Sequence, residues 1–133
     1  MSAAVLDASA FLAYLQDEAG ADVVSDAISS GAAISTVNLA EVLSRMADRG
    51  ADPQRVERQL AARGLLDGAL AVESLTTSDA IEIARLRPLT REHGLSLGDR
   101  ACLALARRLD VPAMTADTAW SKLELSIRLR QIR

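Results

Sequence analysis

Aromatic residues are almost missing from this 133-residue chain, which holds one Phe, one Tyr and one Trp. A core must therefore come from Leu, Val, Ile and Ala, and a platform of rings stacking nucleic-acid bases is disfavoured. Cysteine occurs once, at Cys102, which leaves no internal disulfide and no cysteine zinc site. His93 is the sole histidine and Lys122 the sole lysine. No apolar run approaches the ~20 residues of a membrane span, and the N-terminus lacks a basic, apolar secretory pattern. The cytoplasm is the expected location, with no membrane partner. Neither GxGxxG nor GxxxxGK followed by Ser or Thr is present, so no phosphate-cradling loop is expected.

What is present points to one well-packed domain spanning 1–133. Half the residues are hydrophobic, which excludes general disorder. A chain of this length buries roughly two thirds of its unfolded surface. The net charge of −3 is unevenly spread: residues 1–44 hold six acids and no Arg or Lys. The rest carries twelve acids against all fifteen bases, fourteen of them Arg. Arg can grip phosphate with two parallel hydrogen bonds, although most of these arginines fit ordinary solvated helix faces. Net charge alone leaves the partner open.

The organising stretch is Ala3-Ala4-Val5-Leu6-Asp7-Ala8-Ser9-Ala10-Phe11. Its short apolar run reads as a strand buried on both faces. The set Ala8, Phe11, Leu12, Leu15 then predicts a helix stopping near Gly20. A second short helix is expected over 22–28, and a strand over 32–35. Asn38 as N-cap with Glu41 three residues on has capping-box spacing. Asp52-Pro53 opens another helix, followed by a strand over 71–75. Thr76 to Asp79 starts a helix that Pro88 should break or kink. Ser96-Leu97-Gly98-Asp99 opens the clearest helix, with Cys102, Leu105 and Leu109 on its apolar side. A strand over 111–115, a single turn over 118–122 and an edge strand over 125–129 complete the chain. Alternating strands and helices predict an α/β fold with a mostly parallel central sheet of four to five strands and helices on both faces.

Four acids recur at the same kind of junction. Asp7 and Asp117 stand at carboxyl ends of predicted strands, and Glu41 and Asp99 in first turns of predicted helices. Each alone has a structural explanation as a helix cap or capping-box partner. Together they fall on one rim, because helix starts that follow parallel strands lie on the edge where those strands end. Clustered carboxylates repel one another unless a cation compensates. Mg²⁺ or Mn²⁺ suits an all-oxygen set, and zinc does not. Such a site supports phosphoryl chemistry, with Asp7, Asp99 and Asp117 as direct or water-mediated ligands. Glu41 would be a ligand through water or would orient the attacking water.

The segments Leu6-Asp7-Ala8-Ser9-Ala10-Phe11, Asn38-Leu39-Ala40-Glu41-Val42, Leu95 to Ala106 and Thr115-Ala116-Asp117-Thr118-Ala119-Trp120 resemble the four motifs of PIN-domain ribonucleases. They are most similar to VapC-like toxins of bacterial toxin–antitoxin modules. The resemblance covers nearly the whole chain. It implies a single PIN-like domain acting as a Mg²⁺- or Mn²⁺-dependent endoribonuclease, commonly a homodimer, inhibited by a cognate antitoxin. The family's four acids correspond to Asp7, Glu41, Asp99 and Asp117. Its hydroxyl residue before the last acid corresponds to Thr115, and Ser9 to the one following the first. No family motif falls between Gly64 and Leu75.

Two alternatives compete. A receiver-like signalling domain also gathers acids and Mg²⁺ at a sheet edge, but expects paired acids after the first strand, where Asp7 stands alone. A catalytically silent interaction module would use apolar helix faces such as Val56 and Leu60. His93 reads as a surface helix end, Cys102 as a buried small hydrophobe and Trp120 as core.

Overall fold

The computed structural model describes residues 2–133. Five strands form one sheet: β1 (Val5–Leu6), β2 (Ala32–Ser35), β3 (Leu70–Glu73), β4 (Ala113–Thr115) and β5 (Leu129–Gln131). Six α-helices accompany them: α1 (Ala8–Leu15), α2 (Ala21–Ser29), α3 (Thr36–Asp48), α4 (Pro53–Ala62), α5 (Thr77–Thr90) and α6 (Leu97–Leu109). The strand order is β3-β2-β1-β4-β5 and every pairing is parallel. The order reverses at β1, so the crevice beyond the carboxyl ends of β1 and β4 is where an open α/β sheet takes ligands.

Successive strand residues face opposite sides of the sheet, and the sequence fills those sides differently. Leu6, Ile34 and Met114 pack with Phe11, Val24, Ile28 and Leu60 under α1, α2 and α4. Val5, Ala33 and Ala113 face α6, meeting Cys102, Leu105 and Ala106. Small alanines on that side let α6 lie close to the strands. Trp120 and Phe11 are fully buried, so two of the three aromatics serve as core.

Four expectations need correction. The N-cap of α3 is Ser35, whose Oγ accepts from the Val37 N–H at 3.1 Å, not Asn38. β2 therefore runs straight into α3, and Asn38 sits inside the first turn of the helix, buried. Glu41 in consequence is not the partner of a capping box. Second, α5 continues through Pro88 to Thr90. The missing proline donor falls in the helix's last turn, and burial of Ile83 and Leu86 along α6 outweighs the local preference. Third, the edge strand pairs over Leu129–Gln131 rather than 125–129. Pro112 and Met114 turn their backbone groups towards β1, and Ala113 and Thr115 turn theirs towards β5, where the Ala113 N–H meets the Arg128 carbonyl at 2.9 Å. Fourth, β3 begins at Leu70 and ends at Glu73, one residue earlier than expected at its start and two at its end.

Candidate active site

The acid rim is built from strand ends outward. Asp7 follows β1 as the N-cap of α1 and is 4% exposed. Its Oδ1 accepts from the Ser9 hydroxyl at 2.7 Å and the Ala10 N–H at 2.8 Å, and its Oδ2 from the Thr115 hydroxyl at 2.5 Å. Each hydroxyl gives its one proton to Asp7 and accepts a backbone N–H in return. Ser9 takes that of Ala116 at 2.9 Å, and Thr115 that of Asp117 at 3.0 Å. Ser9 and Thr115 thus weld the end of β1 to the end of β4 and fix Asp7 between them.

Asp117 caps the short turn over Thr118–Lys122, accepting from the Ala119 N–H at 2.9 Å, and is exposed. Asp99 completes a reciprocal capping box at the start of α6: its N–H goes to Ser96 Oγ at 3.1 Å, and its Oδ2 accepts the Ser96 N–H at 2.9 Å. These three acids have the capping bonds their sequence contexts predict. Glu41 does not. It lies in the second turn of α3, half-buried, and among the described residues its carboxylate accepts no hydrogen bond. It presses against Gly98, where a Cβ would overlap its carboxylate. Asn38, one turn earlier, donates from Nδ2 to the Gly98 carbonyl at 3.0 Å, tying α3 to α6 at the level of the site.

Asp7, Glu41, Asp99 and Asp117 all line one cavity of about 400 Å³, together with Ser9, Ser96 and the arginines Arg45, Arg49 and Arg133. Burial pushes the Asp7 carboxyl above its usual range against the bonds from Thr115, Ser9 and Ala10, and Asp99 adds to the rise. Burial also raises Glu41, followed by the charges of Asp99 and Asp7, while Arg45 pulls it down. Beneath the floor, burial and the same three acids push the Cys102 thiol well up. The negative field is shared, although the carboxylates do not touch. Among the described residues no three His, Cys, Asp or Glu side chains converge closely enough to hold a metal ion as they stand. Capping bonds draw Asp99 and Asp117 towards their own helix starts, and like charges separate.

The lining donors are carboxylate and hydroxyl oxygens, with neither His93 nor Cys102 among them. That set fits a hard, oxygen-seeking divalent cation. Lys122, the sole lysine, lies in the turn after Asp117 and does not line the cavity. Motif spacing did not single out Arg45 and Arg49, although their i+4 and i+8 spacing from Glu41 carries the signal. Nor did it single out Arg100, which is buried on α6 and donates to the Ile83 carbonyl at 3.0 Å. Nothing in the strand-and-helix pattern marks that position.

A family model described as PIN domain matches residues 4–125. The DNA-bound VapBC structure from Salmonella typhimurium is similar over 100% of both chains, with a TM-score of 0.72 and 18% identity. VapC20 of Mycobacterium tuberculosis, described as a sarcin-ricin loop cleaving toxin, has a TM-score of 0.65 at 18% identity, over 91% of this chain and 96% of its own. VapBC-5 from the same organism, a member of the VapBC family of toxin–antitoxin systems, has 26% identity and a TM-score of 0.57 over 98% of each chain. No curated protein matches the chain by sequence.

Proposed function

The chain belongs to the PIN domain family, and from that premise we propose that it is a Mg²⁺- or Mn²⁺-dependent endoribonuclease, the homodimeric toxin of a toxin–antitoxin pair. The observation that carries this reading is that Asp7, Glu41, Asp99 and Asp117, from four separate segments of the chain, line one cavity. Structural neighbours described as toxin–antitoxin complexes support the biological setting and a cognate antitoxin partner.

Asp7, Asp99 and Asp117 would hold the cation. Bound there, a divalent ion supplies a water of lowered pKa and neutralises charge gathering on the phosphate. Ser9 and Thr115 keep Asp7 in place by holding both of its oxygens. Among the described residues Glu41 accepts no hydrogen bond, and its pKa is raised, so it is suited to orient the attacking water and take its proton. Asp117, Ser96, Arg45 and Arg49 are exposed along the cavity lining, where an RNA strand can enter.

The test is incubation of purified protein with varied RNAs in Mg²⁺, in Mn²⁺ or in chelator. Cleavage is expected only with the ions. Asp99→Asn should abolish it and leave the fold intact, since an asparagine oxygen can still accept the Ser96 N–H. Wild-type cleavage rates in that variant would overturn the reading.

A further inference from the structure

The acid cavity has a wall that metal binding does not explain. Arg45 and Arg49 line it from α3, four and eight residues beyond Glu41, on the stripe that turns towards the acids. Both are exposed, and neither has a carboxylate within 4.0 Å among the described residues. The third lining arginine is spent otherwise: Arg133 reaches Glu18 at 3.3 Å and the Ala19 carbonyl at 3.2 Å. Arg45 is close enough to Glu41 to lower its pKa. The Gln16 amide, oriented with its nitrogen towards Glu18 at 3.0 Å, turns its oxygen to Arg49. A phosphodiester approaching these carboxylates is repelled, so a strand needs positive charge at the same mouth. Two guanidinium groups one helical turn apart supply it, and each can form a two-pronged contact with phosphate oxygens.

We infer that Arg45 and Arg49 form a phosphate-binding wall that grips the RNA backbone beside the acids and delivers the strand to them. This rests on the ribonuclease reading. Phosphate contacts of this kind position a strand without selecting its sequence. The pair would set affinity and register, not the chemical step.

The experiment compares wild type, R45A/R49A, R45K/R49K and, as a remote control on α5, R85A/R87A. Binding of a single-stranded RNA oligonucleotide is measured in chelator across a salt series, and cleavage in Mg²⁺. R45A/R49A should raise both Kd and KM at least tenfold with kcat within about twofold. Its log Kd should depend on log salt less steeply, by ~0.7 for each phosphate that an arginine no longer neutralises. R45K/R49K should recover part of the affinity as a point charge, and R85A/R87A should match wild type. RNA binding in chelator that R45A/R49A leaves unchanged overturns the inference, whether or not cleavage is seen. So does a loss confined to kcat. Absence of wild-type cleavage on every RNA, with binding still abolished in R45A/R49A, would instead remove the ribonuclease reading and leave the wall standing.

Discussion

At the scale of single residues, the site is shaped as much by what surrounds the acids as by the acids themselves. Gly98 lies between two of them, and its missing side chain is the space that Glu41 fills. Helix propensity would favour Ala there by about 1 kcal/mol. The two effects can be separated in a double-mutant cycle. G98A is expected to destabilise the protein and cut cleavage at least tenfold when Glu41 is present. In an E41A background the same change should stabilise by roughly 0.5–1 kcal/mol, because only the propensity effect survives. Thermal or urea unfolding of the four proteins measures it; equal effects in both backgrounds would separate Gly98 from Glu41. Thr115 and Ser9 act likewise as fixtures, each spending its single proton on Asp7.

At the scale of elements, helix starts do two jobs at once. Ser96 and Asp99 begin α6 with a capping box, and Thr76 and Asp79 begin α5 in the same way. Only the first faces the cavity. Asp79 instead meets Arg108 of α6 through two bonds, 2.9 and 3.1 Å, locking the two helices together. Burial alone would raise the Asp79 carboxyl, but the bonds from Arg108 and Thr76 together hold it below its usual value. A lowered pKa means that the unfolded chain binds the proton more tightly. The stability from this pair is therefore full above pH 3.8 and is lost as pH falls through the lower folded value. R108A should cost about 1–3 kcal/mol at neutral pH. The gap from wild type should close below about pH 4, as read by urea unfolding at several pH values. A gap of constant size down to about pH 2 would show that packing, not charge, joins these helices.

Element boundaries were the part of the fold least legible in the sequence. Ser35 and Asn38 are both acceptable caps, and local chemistry does not choose between them. The choice falls to burial: Asn38 is 1% exposed and its Nδ2 is used across the molecule on Gly98. Pro88 sends a strong local signal that the packing of α5 on α6 overrides. Pro112 is tolerated beside β1 because its carbonyl still accepts the Val5 N–H at 2.9 Å.

At the scale of the molecule, strand order places the site. β1 lies between β2 and β4, and the chain leaves β1 in one direction and returns in the other. Asp7 and Asp117 emerge side by side from that division. Without a cation the gathering of acids is costly. Asp7 and Glu41 have raised folded-state pKa values, so the folded protein holds their protons more tightly than the unfolded chain does. Stability from these groups falls as pH rises from the ordinary values of 3.8 and 4.5 through the raised ones, and the deficit persists at neutral pH. A divalent ion binding only the folded form would offset it, by ~2.7 kcal/mol at a concentration of about 100 Kd. Scanning calorimetry at neutral pH should show Tm rising by about 5 °C or more with saturating Mg²⁺. In chelator, Asp99→Asn should melt no lower than wild type and should lose most of the Mg²⁺ response. An unchanged wild-type Tm in Mg²⁺ and Mn²⁺ would mean that the acids have another use.

The α/β alternation, the apolar faces of the helices and the candidate acids Asp7, Glu41, Asp99 and Asp117 are legible along the chain, because hydrophobic period and capping chemistry are local. The sequence also carries the resemblance to PIN-domain ribonucleases. Packing in three dimensions sets the rest: Glu41 leans on Gly98, Ser9 and Thr115 bind the two strand ends through Asp7, and Arg45 and Arg49 share the acids' cavity. Those relations join residues as many as 108 positions apart. Strand order and the burial of side chains between helices create them, and no periodicity along a single segment encodes either.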